Sequence, residues 1–491
     1  MAARRRKPAG QASGSRGRTR AASAGTIVAW EDDPGQPGEG RTPIQRPVPN
    51  LAGKLPISIQ DPAPAAGTYN VGTAQFRYWA AAEALARGAG FWAGIVPAGT
   101  KWFRTNGPRL PVRLDEAVDF NAFYDRNGLH FFHGPVQHTV VFSGESPDVV
   151  DHELGHAVLD AVRPQLFDAM SQEVAAFHEF FGDASAILSA LQLDSLRAEI
   201  LGETSGHIDR SSRISRLAEQ LGWAIRQIRP DLVDPDCLRN ASNSFFYSDP
   251  INLPPTAPAS QLSSEPHSFS RVFTGAFLQI LAGMFVTHGG GDSAALLATT
   301  QDIAQLLIDG VLGAPVVTSY MSQVAAHMIE ADNARSGGKY RDALKSGFVR
   351  HGILSLQDAT APPPPAPQAA ARRAFVGARP QRRAPETAPR VALTGTSYGL
   401  QEDLIVHAAT EPARFSVASA ARSLGAVTPT QGDHTAASFL EDLVRRGRVD
   451  FGEHAPKEAA VLAPLVRKTH EVRREAEGLV LVRRYFDCGF D

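Results

Sequence analysis

Cysteine is nearly absent from this chain: its 491 residues contain two, Cys237 and Cys488. Thiols so far apart in sequence give no disulfide framework, which excludes a disulfide-stapled scaffold and fits a reducing compartment. Long apolar runs are lacking as well. No apolar core of a signal peptide follows the first arginines, and no run is read as long enough to cross a bilayer. The expectation is therefore a chain without a membrane segment, cytoplasmic or exported by a non-classical route. Charge of one sign is also missing, since 49 Lys and Arg against 51 Asp and Glu leave a formal net charge of −2. That balance argues against a globally basic nucleic-acid binder.

What is present is unevenly spread. Arg4, Arg5, Arg6, Lys7, Arg16, Arg18 and Arg20 stand among Gly, Ser, Ala and Pro without acidic neighbours. Residues 1–67 are accordingly expected to be a disordered basic, Pro/Gly-rich tail. A globular domain is expected over 68–356. It opens with an amphipathic helix near 76–86, continues through strand-like segments to Val141-Phe142, and then turns helical near 211–228, 268–286, 293–308, 317–331 and 340–350. The run Ala361-Pro362-Pro363-Pro364-Pro365 marks a Pro/Ala/Arg-rich linker over 357–390. Residues 391–491 form an expected accessory α+β domain, with helices near 417–424 and 435–446 and a strand-like 478–486. Its arginines, Arg445, Arg446, Arg448, Arg483 and Arg484, hint at a winged-helix surface, although a solvated face explains them more simply.

The chemistry concentrates in His152-Glu153-Leu154-Gly155-His156. Imidazoles four residues apart on a helix lie on one face and can share a metal ion, while Glu153, one step round, reaches to where an attacking water would sit. The flanks support a helix. Ser146-Pro147-Asp148 provides an N-cap, a Pro at the first helical position and an acid in the first turn; Val149, Val150, Leu154, Ala157 and Val158 recur at helical spacing, and Pro164 ends the segment. A catalytic zinc site normally takes three protein ligands. In the next helical stretch, 171–190, Glu179 is the natural third ligand, and Asp183, four residues on, can accept the free N–H of a ligand imidazole. His178 and Glu173 remain competitors.

The stretch from Asp148 to Asp160, followed by Glu179-Phe180-Phe181-Gly182-Asp183, resembles the gluzincin signature of the thermolysin family of metallopeptidases. The resemblance implies an α+β, two-lobed fold: a β-containing N-terminal lobe, an all-α C-terminal lobe and the zinc helix between them. It implies that His152, His156 and Glu179 hold zinc, that Glu153 activates water and that Asp183 orients a ligand histidine. Asn121-Ala122-Phe123-Tyr124, with Leu129-His130-Phe131-Phe132, resembles the family's edge strand, where an extended peptide pairs through its main chain; Asn121 and Ala122 would bind substrate. Glu265-Pro266-His267 resembles the segment whose histidine donates to the oxyanion. Leu238-Arg239-Asn240 resembles the one that grips a substrate carbonyl through Arg239.

There are departures. The family's oxyanion Tyr has no counterpart in Gln165-Leu166-Phe167-Asp168, the interval from His156 to Glu179 is a few residues longer than usual, and no large prosegment is read. Asp148 matches a family calcium ligand, but Ala190 stands where a second carboxylate is expected, so calcium is allowed and not implied. The expectation is a zinc metalloendopeptidase acting on peptide or protein substrates. The alternatives are a weak or inactive binding module on the same fold and, lesser, a zinc aminopeptidase.

Overall fold

The computed structural model describes residues 25–356, 388–410, 432–455 and 466–489. Among them the chain is mixed α+β, with eleven α-helices and several small sheets. In chain order the elements are β1 (Thr26–Ala29), β2 (Ile44–Pro47), β3 (Ile57–Ile59), α1 (Ala74–Ile95), β4 (Leu110–Arg113), β5 (Ala122–Tyr124), β6 (Leu129–Phe131), β7 (His133–Val136) and β8 (Thr139–Phe142). There follow α2 (Pro147–Val162), α3 (Gln165–Asp168), α4 (Gln172–Ala190), α5 (Asp194–Thr204), β9 (Arg216–Leu217), α6 (Glu219–Arg226) and β10 (Arg239–Asn240). Then come α7 (Pro266–Thr287), α8 (Ser293–Gly313), α9 (Tyr320–Ser336) and α10 (Arg341–Arg350). The last stretch holds β11 (Arg390–Leu393), β12 (Leu404–His407), α11 (Gly432–Arg445), β13 (Val449–Asp450), β14 (His470–Glu475), β15 (Gly478–Arg483) and β16 (Phe486–Asp487).

Local chemistry sets the two helices that matter most. The Ser146 hydroxyl accepts from Val149 N at 3.4 Å and Pro147 opens α2, while Pro164 lies just beyond its end. α4 is buried along its whole length, with its polar groups met by neighbouring elements, such as Asp183 by His152 of α2 and Thr274 of α7. Helix α2 crosses α4 closely because both carry glycine at the crossing. A Cβ at Gly155 would come 2.9 Å from Gly182 Cα, and one at Gly182 would come 2.6 Å from the His152 ring. The far end of α2 is tied to the sheet: Tyr124 donates to Asp160 at 2.8 Å and Arg126 reaches the same carboxylate at 2.7 Å.

One five-stranded sheet runs β16-β5-β6-β4-β3 and another β11-β12-β15-β14-β13. The main hydrophobic core extends from Ile27 to Cys488, so the C-terminal strands share it with the helices.

Several expectations are corrected here. The tail expected through residue 67 ends earlier: β1 pairs antiparallel with β2, Ile27 and Ala29 are fully buried, and β3 joins the sheet beside β4. Asp33 anchors this segment by accepting from Gln220 N at 2.9 Å and from the Ser146 hydroxyl. The helix expected over 211–228 is shortened to α6, with the β9–β10 pair before and after it, so the stretch expected to be all-α also contains strands. Helices α7 and α8 have the length and apolarity of a membrane span, and most of the apolar stretch of α7 is packed into the core. The C-terminal region is not a detached module, because β16 crosses into the sheet of β5. Its arginines are engaged: Arg448 and Arg483 are buried, and Arg484 pairs with Asp450 at 2.8 Å. The linker over 357–387 and the helix near 417–424 lie outside the described residues.

Candidate metal centre

The crossing of α2 and α4 brings the predicted ligands together. His152 Nε2 is 3.3 Å and His156 Nε2 3.7 Å from Glu179 Oε2, and the three donor atoms lie within 4.8 Å of one another. All three side chains are buried. This His152–His156–Glu179 group can hold a metal ion.

The outer nitrogens of both imidazoles are spoken for. His152 Nδ1 lies 3.1 Å from Asp183 Oδ1, as the four-residue spacing of Glu179 and Asp183 predicts, and Asp183 also accepts from Arg239 at 2.8 Å and Thr274 at 3.1 Å. Burial alone would raise the Asp183 pKa, but Arg239 and His152 bring it down to about 2. An acceptor held ionised in this way fixes the Nδ1–H tautomer of His152 and aims Nε2 at the ion. His156 is held differently. Its Nδ1 sits 3.0 Å from His178 Nδ1, which leaves His156 Nε2 without a hydrogen-bond partner. His178, a competitor for the metal on sequence grounds, is therefore the support of a ligand. Burial pushes the His156 pKa down to about 3, so its ring is neutral and able to ligate. Glu173, the other competitor, is used elsewhere, accepting from Tyr247 at 2.6 Å and Met321 N at 2.9 Å.

Glu153 is fully buried beside these donors, and burial raises its pKa to about 8. His267 opens α7 where Glu265 caps the helix and Pro266 begins it. Its Nδ1 is 2.8 Å from Glu265 and its Nε2 3.1 Å from Glu179. Burial would lower the His267 pKa, but the two carboxylates hold it well above the ordinary range. Arg239 reaches the site through Asp183 and, with His267, lines a cavity of about 130 Å³. Asp148 accepts from Ala218 N at 2.9 Å, and among the described residues the ligand groups close enough for one ion are His152–His156–Glu179 and His152–Glu153–Cys488.

The expected substrate edge is corrected outright. Strand β5 is not an edge: β16 pairs with it antiparallel, Phe486 opposite Tyr124 and Asp487 opposite Phe123, and Ala122 O accepts from Cys488 N at 2.8 Å. The Cys488 thiol lies against Glu153. Phe486 stacks on His178 and His156, with centroids 4.1 and 5.0 Å apart. Sequence reading treated Cys488 only as an unpaired thiol; the signal available was that one of just two cysteines stood in a short Phe-Asp-Cys-Gly run.

No protein-family model matches this chain, and no curated protein matches it.

Proposed function

We propose that the chain is a zinc-dependent endopeptidase built on the plan of the thermolysin family, with His152, His156 and Glu179 as ligands and Glu153 as the proton-transferring base. The observation that carries this reading is the convergence of three buried donors from α2 and α4 with a carboxylate beside them. Donors about 2.0–2.2 Å from a tetrahedral ion stand roughly 3.3–3.6 Å from one another. The distances of 3.3 and 3.7 Å from Glu179 to the two imidazoles suit that ion.

The chemistry zinc supplies when bound is acidification of water toward neutrality and polarisation of a scissile carbonyl. Glu153 is placed to take the proton and later hand it to the leaving amine; its raised pKa matches such a shuttle. His267, anchored by Glu265, keeps one N–H directed into the site and supports a developing oxyanion there. Arg239, rather than gripping substrate alone, first holds Asp183 in place.

A second reading has a specific observation behind it. The thiol set against Glu153 and the strand seated on β5 also suit a catalytically silent site of four protein ligands. Metal analysis and a casein cleavage assay separate the two. Peptidase action requires stoichiometric zinc and chelator-sensitive cleavage. In Glu153→Gln the cleavage is expected to fall about 10²–10⁴-fold with zinc retained. Undiminished cleavage by that variant would remove Glu153 from the mechanism.

A further inference from the structure

We infer that Cys488 is a fourth ligand of this metal centre, delivered by the chain's own β16, and that the chain is latent while that strand is seated. The inference rests on the zinc-peptidase reading above and adds to it a regulating segment.

Two independent observations meet at the same spot. The first is backbone pairing: β16 lies along β5 and the Cys488 N–H bonds to Ala122 O at 2.8 Å, which fixes the thiol over the site. The second is the state of the groups facing it. Cys488 Sγ and the ligand atoms of His152 and Glu153 lie within 4.8 Å of one another, with Cys488 only 4% exposed. Apart from that thiol, neither carboxylate oxygen of Glu153 has a hydrogen-bond partner, nor does His156 Nε2, although all are buried. Buried polar atoms left unsatisfied call for a ligand. Imidazole, carboxylate and thiolate are all donors that zinc accepts, and His152 belongs to both the His156–Glu179 group and the Glu153–Cys488 group.

The strand is also clamped from both sides. Phe486 stacks on His156 and His178, Tyr485 stacks on Phe123 at 4.8 Å, and Arg448 reaches Asp487 at 3.3 Å. Arg239, His267 and Cys488 line a cavity of about 130 Å³. Ligand sites that enclose even a drug-sized molecule run to roughly 300–1,000 Å³, so an extended peptide has no room. It would need the edge of β5, which β16 holds, and Cys488 stands beside His152 and Glu153. In the ligation step the Cys488 S–H bond breaks, its proton passes to the Glu153 carboxylate, and a sulfur lone pair is donated to the ion. On release the proton returns to sulfur, and nothing is oxidised or reduced.

Full-length protein loaded with cobalt(II) tests the ligation directly. Sulfur-to-cobalt charge-transfer absorption in the near ultraviolet is expected in the wild type and in Cys237→Ser, and its loss in Cys488→Ser. Absence of the band from the wild type, persistence in Cys488→Ser, or failure to bind cobalt overturns the inference, and the wild-type spectrum needs no substituted chain to fold. Casein cleavage by the zinc-loaded chains tests latency. Phe486→Ala combined with Cys488→Ser, or Cys488→Ser alone, is expected to raise the rate at least about tenfold by enlarging the competent fraction. A wild type as active as these variants overturns latency. A band in the wild type with no cleavage by any variant overturns the peptidase reading instead, leaving Cys488 as a ligand of a structural site.

Discussion

At the scale of single residues, the centre depends on two glycines as much as on its ligands. A Cβ at Gly182 would stand 2.6 Å from the His152 ring, where the imidazole is already held by Asp183 and cannot retreat cheaply. Gly182→Ala is therefore expected to cost about 1–3 kcal/mol, in the range of overpacked cores, and to weaken metal binding, which denaturant titration with and without zinc would register. The same substitution at Gly90, with nothing within 4 Å of its Cβ, is expected to leave metal binding unchanged. Some of this was legible. The i, i+4 spacing of His152 and His156, and of Glu179 and Asp183, foretold which side chains share a face, and the structure joins them. His178 was not legible, because helical geometry turns it away from Glu179, and only the position of α2 decides that it meets His156.

At the scale of elements, α1 and the turn ahead of α2 are joined by a buried acid. Glu145 lies 3.5 Å from Arg77; burial, only partly offset by that guanidinium, raises its pKa from an ordinary 4.5 to about 7. The folded state thus holds this proton more tightly than the unfolded one. Its contribution is present in full below pH 4.5 and is lost as pH rises through 7, a change of roughly 3 kcal/mol at most. Glu145→Gln is expected to flatten that part of the stability profile between pH 4.5 and 7, as urea melts across the range would show; an unaltered slope would assign the dependence to other groups. The cap of α2 gives a companion test. Ser146→Ala removes the acceptor for Val149 N and a partner of Asp33, with an expected loss of about 1–2 kcal/mol in the same assay.

At the scale of the whole molecule, the C-terminal strands pack against the elements that carry the candidate metal centre. Besides β16, Arg483 donates to Phe167 O at 2.9 Å, Met170 N donates to His407 O at 2.6 Å, and Arg467 pairs with Asp119. Cys488→Pro deletes the N–H that bonds Ala122 O as well as the thiol. Hydrogen exchange in that variant is expected to quicken along β5 while α2 and α4 stay protected. Equal protection of β5 in both proteins would mean that β16 does not stabilise that edge.

By itself the sequence determined the local features: the capped α2, the ligand faces of α2 and α4, the helices after them and the thiol-poor, charge-balanced composition. Those follow from periodicity and capping, which act over a few residues. It left undetermined where residues 25–67 belong, because strands of three or four residues carry too little pattern to announce themselves. It also left open who occupies the edge of β5. Pairing between residues 122 and 488 is set by packing across the whole fold, and only the tertiary structure brings one of two cysteines to the centre that two histidines announced.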